Sequence, residues 1–547
     1  MNKMSDQDKK GISRRDILKG LATAPVLGAF WWSASAKGDH DTEIKKGILN
    51  ELDIKAMNPP TTGSMKGDVI KLGIIGAGGR GIHLMRTAGY ATPQWLDDMK
   101  ENARKNPNDT RLKSFLEQED LNVRFTAVCD VFDVHMERAY GAAETDDNKP
   151  IRYVDYQDLL ADPNVDAVII ATPDHTHAPI ALDAVRAGKH VYVEKCMTHK
   201  IGETLELEEA VNNSSVVFQV GHQHRQTLSF LTAQDAINKN VLGHVSLVQT
   251  NTNRNDDAGA WQYNLHPEAN EKTIDWKRFL GPAPDLPFSR EQFSRWRKWW
   301  VFGTGLSGDL LTHDFDRINC VLKMGLPSSV MASGGIYSHR DGREVPDVLQ
   351  VSMEFPEFST GSSREKGLEK GMTFLYSATL GNGFNRGTLL MGHDATMELG
   401  ESLSIYADYN STRYKDLLEK GVIDTSTPMY GYNPQSEGVD GVTSATAKYF
   451  AEKGLLYTYR DGKRVDSAFL HIREWLSCIR HGGTPSCSIK EGMEEAISSH
   501  MATLSYKTGK QVLWDDKARK VVIPGMEGAD LDAIITDSKL LPEAPIV

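Results

Sequence analysis

From Val69 onward the chain alternates short apolar runs with segments of helical period. Val69 to Ile75 is an apolar strand pattern, followed by Gly76-Ala77-Gly78-Gly79-Arg80-Gly81 and a helical pattern from Ile82. Arg124 to Val128 is a second strand pattern ending in Asp130, and Val165 to Ala171 a third ending in Thr172-Pro173. Ala178 to Ala187 reads as a helix, closes on Gly188 and leads into Val191-Tyr192-Val193. Strands alternating with helices predict a parallel sheet. Beyond residue 200 the texture changes: a helix near Glu203 to Asn212 precedes longer strands at Val245 to Thr252, Val330 to Tyr337 and Leu349 to Phe355. These suit a second, α+β domain with a large, open, mostly antiparallel sheet. The expected fold class is therefore α/β, with a parallel-sheet domain at 67–200, which Gly76-x-Gly78-x-x-Gly81 between strand and helix marks as a dinucleotide-binding (Rossmann) domain, and the second domain at 201–465. A C-terminal helical return and tail occupy 466–547. Polar residues at about 90–122, with Pro93 and Asn106-Pro107-Asn108, predict a surface insertion in the first domain, and Ser359 to Lys370 a loop.

At 547 residues the chain exceeds one ordinary core, in keeping with two domains. A net charge of −12 argues against nucleic acid as a partner. Residues 1–36 carry the order of an export signal: Ser13-Arg14-Arg15-Asp16, a short apolar run from Gly20 to Trp32, then Ala34-Ser35-Ala36. The paired arginines resemble a twin-arginine signal, which predicts recognition by that export machinery and a periplasmic location. The apolar run is too short to span a bilayer comfortably and no cysteine adjoins the cleavage site, so no stable membrane anchor is expected. A polar linker follows at 37–66. The five cysteines are an odd number in a long chain, which does not suggest a disulfide framework.

Candidate chemistry gathers where apolar strands end. Gly76, Gly78 and Gly81, with Gly79 and Arg80 between them, directly follow a strand and open a helix, the context in which G-x-G-x-x-G holds a pyrophosphate. The helix N-terminus would face the phosphates with unpaired N–H groups. Asp130, at the end of the second strand, is placed to accept hydrogen bonds from a ribose and to repel a 2′-phosphate, which favours NAD over the alternative, NADP. Val191-Tyr192-Val193 runs straight into Glu194 and Lys195, two charges at a strand's carboxyl end.

The run ATPDHTHAPIALDAVRAGKHVYVEK resembles the core signature of the Gfo/Idh/MocA oxidoreductases, the family of glucose–fructose oxidoreductase and inositol dehydrogenase. Thr172, Pro173 and His177 match its first part, Gly188-Lys189-His190 its second and Glu194-Lys195 its last; the family's following proline is Cys196 here. FLHIREWLSCIRHGGTPSCSIKEG is similar to the family's C-terminal return. SGDLLTHDFD carries Asp309, His313 and Asp316 at intervals that share one helix face. The resemblance implies His313 as general acid or base on a substrate hydroxyl, and Asp309 positioning substrate or catalytic groups. Lys195 would hydrogen-bond the reacting oxygen, and Glu194 would offset the lysine's charge or bind cofactor. Thr172, Pro173, His175, His177, Lys195 and Gln223 would also contact cofactor, and Arg225, Trp300 and Asp316 substrate. Asp309 and His313 could supply two metal ligands, but the sequence marks no third, so no metal is expected.

The implied activity is nicotinamide-dependent oxidation of a secondary hydroxyl on a sugar, glycoside or polyol. The alternatives are glycoside cleavage by transient oxidation and elimination, and a cofactor-binding protein without catalysis. The cleaving members carry a Tyr-Pro-Thr-His flavour around the histidine, of which Leu310-Leu311-Thr312-His313 shares only Thr-His. Export implies a tightly held cofactor, and the family's open sheets imply a homo-oligomer, a dimer or tetramer.

Overall fold

The computed structural model describes residues 62–360, 370–433, 457–460 and 463–538, together with Ile48, 52–55 and Met57. The expected export signal lies outside the described residues, as do most of the linker and of the 359–370 loop.

The first sheet is parallel throughout. Its strands are β1 (Ile70–Ile75), β2 (Val123–Cys129), β3 (Ile151–Tyr153), β4 (Ala167–Ile170), β5 (His190–Val193) and β6 (Phe218–Val220), in the order β3-β2-β1-β4-β5-β6. Helices α1 (Gly79–Thr87), α2 (Asp133–Ala143), α3 (Asp174–Arg186) and α4 (Ile201–Asn212) form crossovers. Strands covered on both faces need continuous apolar runs rather than alternation: Leu72, Ile74, Val168, Ile169, Val191 and Val193 are wholly buried. Each such side chain contributes roughly 1.5–3 kcal/mol relative to exposure. Because the order reverses between β1 and β4, the loops after these strands diverge and open a crevice at their carboxyl ends.

The sheet runs past the expected boundary at residue 200, since β6 pairs with β5 through Val191↔Phe218 and Val193↔Val220. The polar stretch at 90–122 folds as the helices Pro93–Lys105 and Arg111–Leu116. Thr92 caps the first, its Oγ1 accepting from Trp95 N at 3.2 Å, with proline at the first helical position.

The second sheet has ten strands among the described residues, centred on β7 (Val245–Asn253), β8 (Ser329–Gly335), β9 (Val348–Phe355) and β10 (Met372–Thr379). β10 runs parallel to β7 and antiparallel to β9, and the remaining pairs are antiparallel. Burial alternates along β10, with Phe374, Tyr376 and Ala378 inward and Thr373, Leu375 and Ser377 half-buried on the opposite face, the period-two pattern of a one-sided sheet. Helices α5 (Leu228–Asn238) and α6 (Thr312–Leu322) cover the inner face, where Phe315 meets Phe374 edge to face at 5.9 Å.

The C-terminal return serves both cores. In α7 (Ser467–His481), Phe469, Ile472, Trp475 and Leu476 join the core of the first sheet. In α8 (Ile489–Thr508), a capping box between Ser488 and Glu491 opens the helix, and Ile497, Met501 and Leu504 pack under the second sheet. No described helix is long and apolar enough to cross a membrane. All five cysteines are free thiols.

Candidate active site

The glycine loop is built around backbone crowding on one side and open space on the other. Gly76 has φ +86°, and a Cβ there would lie 2.7 Å from the Ala171 carbonyl carbon. A Cβ on Gly81 would lie 2.1 Å from Gly76 O, so α1 packs on the strand only with glycine. At Gly78 a Cβ would meet nothing nearer than the His135 ring at 3.8 Å, and at Gly79 nothing within 4 Å. No side chain caps the N-terminus of α1. An uncapped helix start behind an open glycine cradle fits a pyrophosphate. Asp130 is buried beside it: Oδ2 accepts from Ala77 N at 2.6 Å and Oδ1 from Phe132 N at 2.8 Å. Each oxygen keeps a lone pair for a ribose hydroxyl.

Three expected cofactor residues sit around this crevice in a definite arrangement. Arg80 Nε donates to Glu194 Oε1 at 2.7 Å and Nη2 to Gln223 Oε1 at 3.2 Å. The strand-end glutamate therefore offsets the glycine loop's arginine rather than Lys195. Thr172 Oγ1 is buried without a partner, and its carbonyl, immediately before Pro173, accepts from His177 Nε2 at 2.7 Å. His177 Nδ1 lies 2.7 Å from the Cys196 carbonyl, tying the β4 and β5 ends together. His175 departs from the expectation. Its Nε2 donates to Phe279 O at 2.8 Å, its ring packs against Phe279 and Phe302, and burial lowers it to about 3, so it is a neutral packing residue.

Lys195 projects from the end of β5 onto Asp309, donating to Oδ1 at 2.6 Å and to the main-chain carbonyl at 2.8 Å. Arg297 Nε also donates to Oδ1, at 3.0 Å, and Trp261 Nε1 to Oδ2 at 3.0 Å. Burial alone would raise the Asp309 carboxyl, but Lys195, Arg297 and Arg254 outweigh it and hold it well below the carboxylate range. Lys195–Cys196 is a cis peptide bond, and the Cys196 thiol is buried.

The shared helix face expected for Asp309, His313 and Asp316 is divided. Ser307–Leu311 is a π-turn, wider than the α-helix that continues it, a feature frequent at functional sites. Asp309 bonds Lys195, and the half-buried His313 ring packs against those of His222 and His224, whereas Asp316 is buried against Arg225. Burial first, then Lys195, His222, His224 and Arg317, hold His313 well below the ordinary imidazole value, so its ring is neutral at pH 7.

Two further substrate expectations are corrected. Arg225 donates to Asp316 Oδ1 at 2.7 Å and to Ser486 O at 2.7 Å; both members of this pair are buried, and neither is open to a substrate. Trp300 is 1 % exposed, with its Nε1 donating to Glu344 O at 3.1 Å and Lys507 Nζ 4.2 Å over its ring. Arg297, Trp261 and Glu495 went unread in the sequence. Arg297 sits in the aromatic run Arg295 to Trp300, where the arginine was the signal. His222, Asp316 and Glu495 bring ligand-type atoms within 4.8 Å of one another, a cluster no sequence spacing marks.

Levoglucosan dehydrogenase of Pseudarthrobacter phenanthrenivorans is 28 % identical over 228 residues, which are 38 % of this chain and 51 % of that protein. The scyllo-inositol 2-dehydrogenase (NADP(+)) IolW of Bacillus subtilis is 25 % identical over 199 residues, 36 % of this chain and 45 % of that one. The chain thus spans about half the length of these curated relatives. A solved levoglucosan dehydrogenase, in complex with NADH and levoglucosan, shares the fold with a TM-score of 0.52 at 16 % identity, covering 82 % of this chain and 99 % of that one. Residues 70–222 match the family model for the NAD-binding Rossmann fold of an oxidoreductase family, and 234–513 the model for its C-terminal alpha/beta domain. With the glycine cradle, the Lys195–Asp309 pair and both matched domains in one chain, the protein belongs to the Gfo/Idh/MocA oxidoreductase family, as an NAD-binding member.

Proposed function

We propose that the protein oxidises a secondary hydroxyl of a sugar, glycoside or polyol. The observation that carries this reading is Lys195, fixed by Asp309 at the carboxyl end of β5, beside the glycine cradle and near a neutral histidine. Bound nicotinamide supplies the hydride acceptor. His313 takes the hydroxyl proton on its neutral ring. Lys195 donates a hydrogen bond to the reacting oxygen and favours the charge that builds there. Asp309 holds that amine in place, and Arg297 and Trp261 hold Asp309. The cations that depress His313 also lower the proton affinity of a hydroxyl placed among them, so donor and acceptor remain matched.

The N-terminal pattern supports export of a folded, cofactor-loaded enzyme to the periplasm, and the half-exposed face of the ten-stranded sheet supports pairing with a second copy. Incubation with a panel of sugars, glycosides and inositols, followed by mass spectrometry, tests the reaction. A product two mass units lighter is expected. Aglycone release without net redox would replace this reading by glycoside cleavage.

A further inference from the structure

Behind His313 lies a buried polar cluster that the proposed chemistry does not use. His222, in the turn after β6, is 1 % exposed. Its Nε2 abuts Glu495 of α8, and its Nδ1 lies 3.9 Å from Asp316 Oδ2. Arg225 occupies the other oxygen of Asp316. The His222 and His313 rings meet edge to face with centroids 5.2 Å apart, and His224, paired with Arg317, flanks His313 at 5.6 Å. His471 of α7 is committed to Val220 O, and the Cys487 thiol lies 3.9 Å from Asp316.

Charge decides what this cluster holds. Two buried carboxylates face one guanidinium and an imidazole whose nitrogens have no other acceptor. A single proton makes the group neutral; a divalent cation would leave it, Arg225 included, with a net positive charge. Burial by itself would lower His222, but Glu495 and Asp316 outweigh it and raise it above the ordinary value.

We propose that His222 is a positioning residue, held as an imidazolium between Glu495 and Asp316, whose fixed charge keeps the neighbouring His313 ring neutral. The proposal rests on the reading of His313 as proton acceptor only for its catalytic consequence, not for the coupling itself. Unit charges about 5 Å apart at an effective dielectric near 20 shift a titration by roughly one to two pH units after partial compensation by Glu495.

The test is ring ¹⁵N NMR of the full chain labelled at histidine, with pH titration of wild type, His222→Gln and Glu495→Gln. In wild type, His222 is expected to keep both ring protons above the pH at which an ordinary histidine loses one. In Glu495→Gln its midpoint falls by about one unit or more, and in His222→Gln the His313 midpoint rises by a similar amount. A neutral His222 in wild type at pH 7, or an unmoved His313, overturns the proposal; the wild-type measurement decides even if a variant does not fold. One equivalent of divalent metal per chain by elemental analysis, lost in Glu495→Gln, would overturn it in favour of a metal site. If the coupling holds but His313→Asn keeps full turnover, the proposed role of His313 fails and the electrostatic pair stands.

Discussion

At the scale of single residues, the site depends on a lysine held by a carboxylate that is itself held three ways. Lys195→Ala removes the proposed donor to the reacting oxygen but leaves the glycine cradle intact. Turnover is expected to fall about 10²–10³-fold with cofactor affinity unchanged, measured by steady-state rates and NAD titration; undiminished turnover would remove the lysine from the mechanism. Asp309→Asn acts differently, because it takes the ion-pair partner from Lys195, itself one-tenth exposed, and from Arg297. Breaking a buried pair in this way costs about 3–5 kcal/mol, so this variant is expected to lose thermal stability as well as rate, whereas Lys195→Ala loses chiefly rate. Lys195, Asp309 and His313 were legible from the sequence because short motifs fix their residue types. The partners of Arg225, Asp316 and Trp300 were not. Each is chosen by a segment distant in the chain, Ser486 for Arg225 and Glu344 for Trp300, and a polar residue's type does not say which way it turns.

At the scale of elements, the turn from β1 into α1 separates folding from binding. Gly81→Ala drives a methyl into the Gly76 carbonyl and forces the helix off the strand, so loss of the fold is expected. Gly79→Ala meets no protein atom within 4 Å, and alanine is the better helix former by up to about 1 kcal/mol. Its thermal midpoint should equal or exceed that of wild type, while its NAD affinity, read by fluorescence titration, should fall tenfold or more because the methyl fills the pyrophosphate cradle. Equal NAD affinity would place the phosphates elsewhere. The parallel sheet was readable as elements because its strands are apolar on both faces and lie between helices of clear period. The π-turn at Ser307–Leu311 was not, since its spacing passes for one face of an α-helix until the wider hydrogen bonding is seen. Nor did periodicity reveal that β6 and α7 complete the first core from beyond residue 200, because a strand of three residues and a helix late in the chain declare their partners only in space.

At the scale of the whole molecule, buried neutral histidines set the acid limit. His175, His199, His471 and His500 are each lowered to about 3 by burial. Between about pH 3 and 6.5 the unfolded chain binds protons at these rings that the folded one excludes, so their contribution to stability falls as pH drops through this window and levels off above it. Each group contributes a limiting slope of about 1.4 kcal/mol per pH unit. His222 has the opposite sign, its stabilisation being present below the ordinary imidazole value and lost as pH rises through its raised one, and so has Glu203, which burial raises to about 7, but the four histidines together with His313 outnumber them. Thermal midpoints are therefore expected to fall steeply below pH 6; a flat profile down to pH 5 would mean these rings take up protons without unfolding. The cofactor bears on the same balance. A ligand bound to the folded state alone adds stability as RT ln(1 + [L]/Kd), and the proposed export after folding would leave no pool from which to reload. Protein purified without added nucleotide and then denatured is accordingly expected to release close to one equivalent of nicotinamide per chain, detected by absorbance and mass spectrometry. Reloading stripped protein with NAD should raise its midpoint by several degrees. Release of none, with a midpoint indifferent to added NAD, would show that the cradle exchanges its ligand freely and that residence in an NAD-poor compartment is wrong for this enzyme.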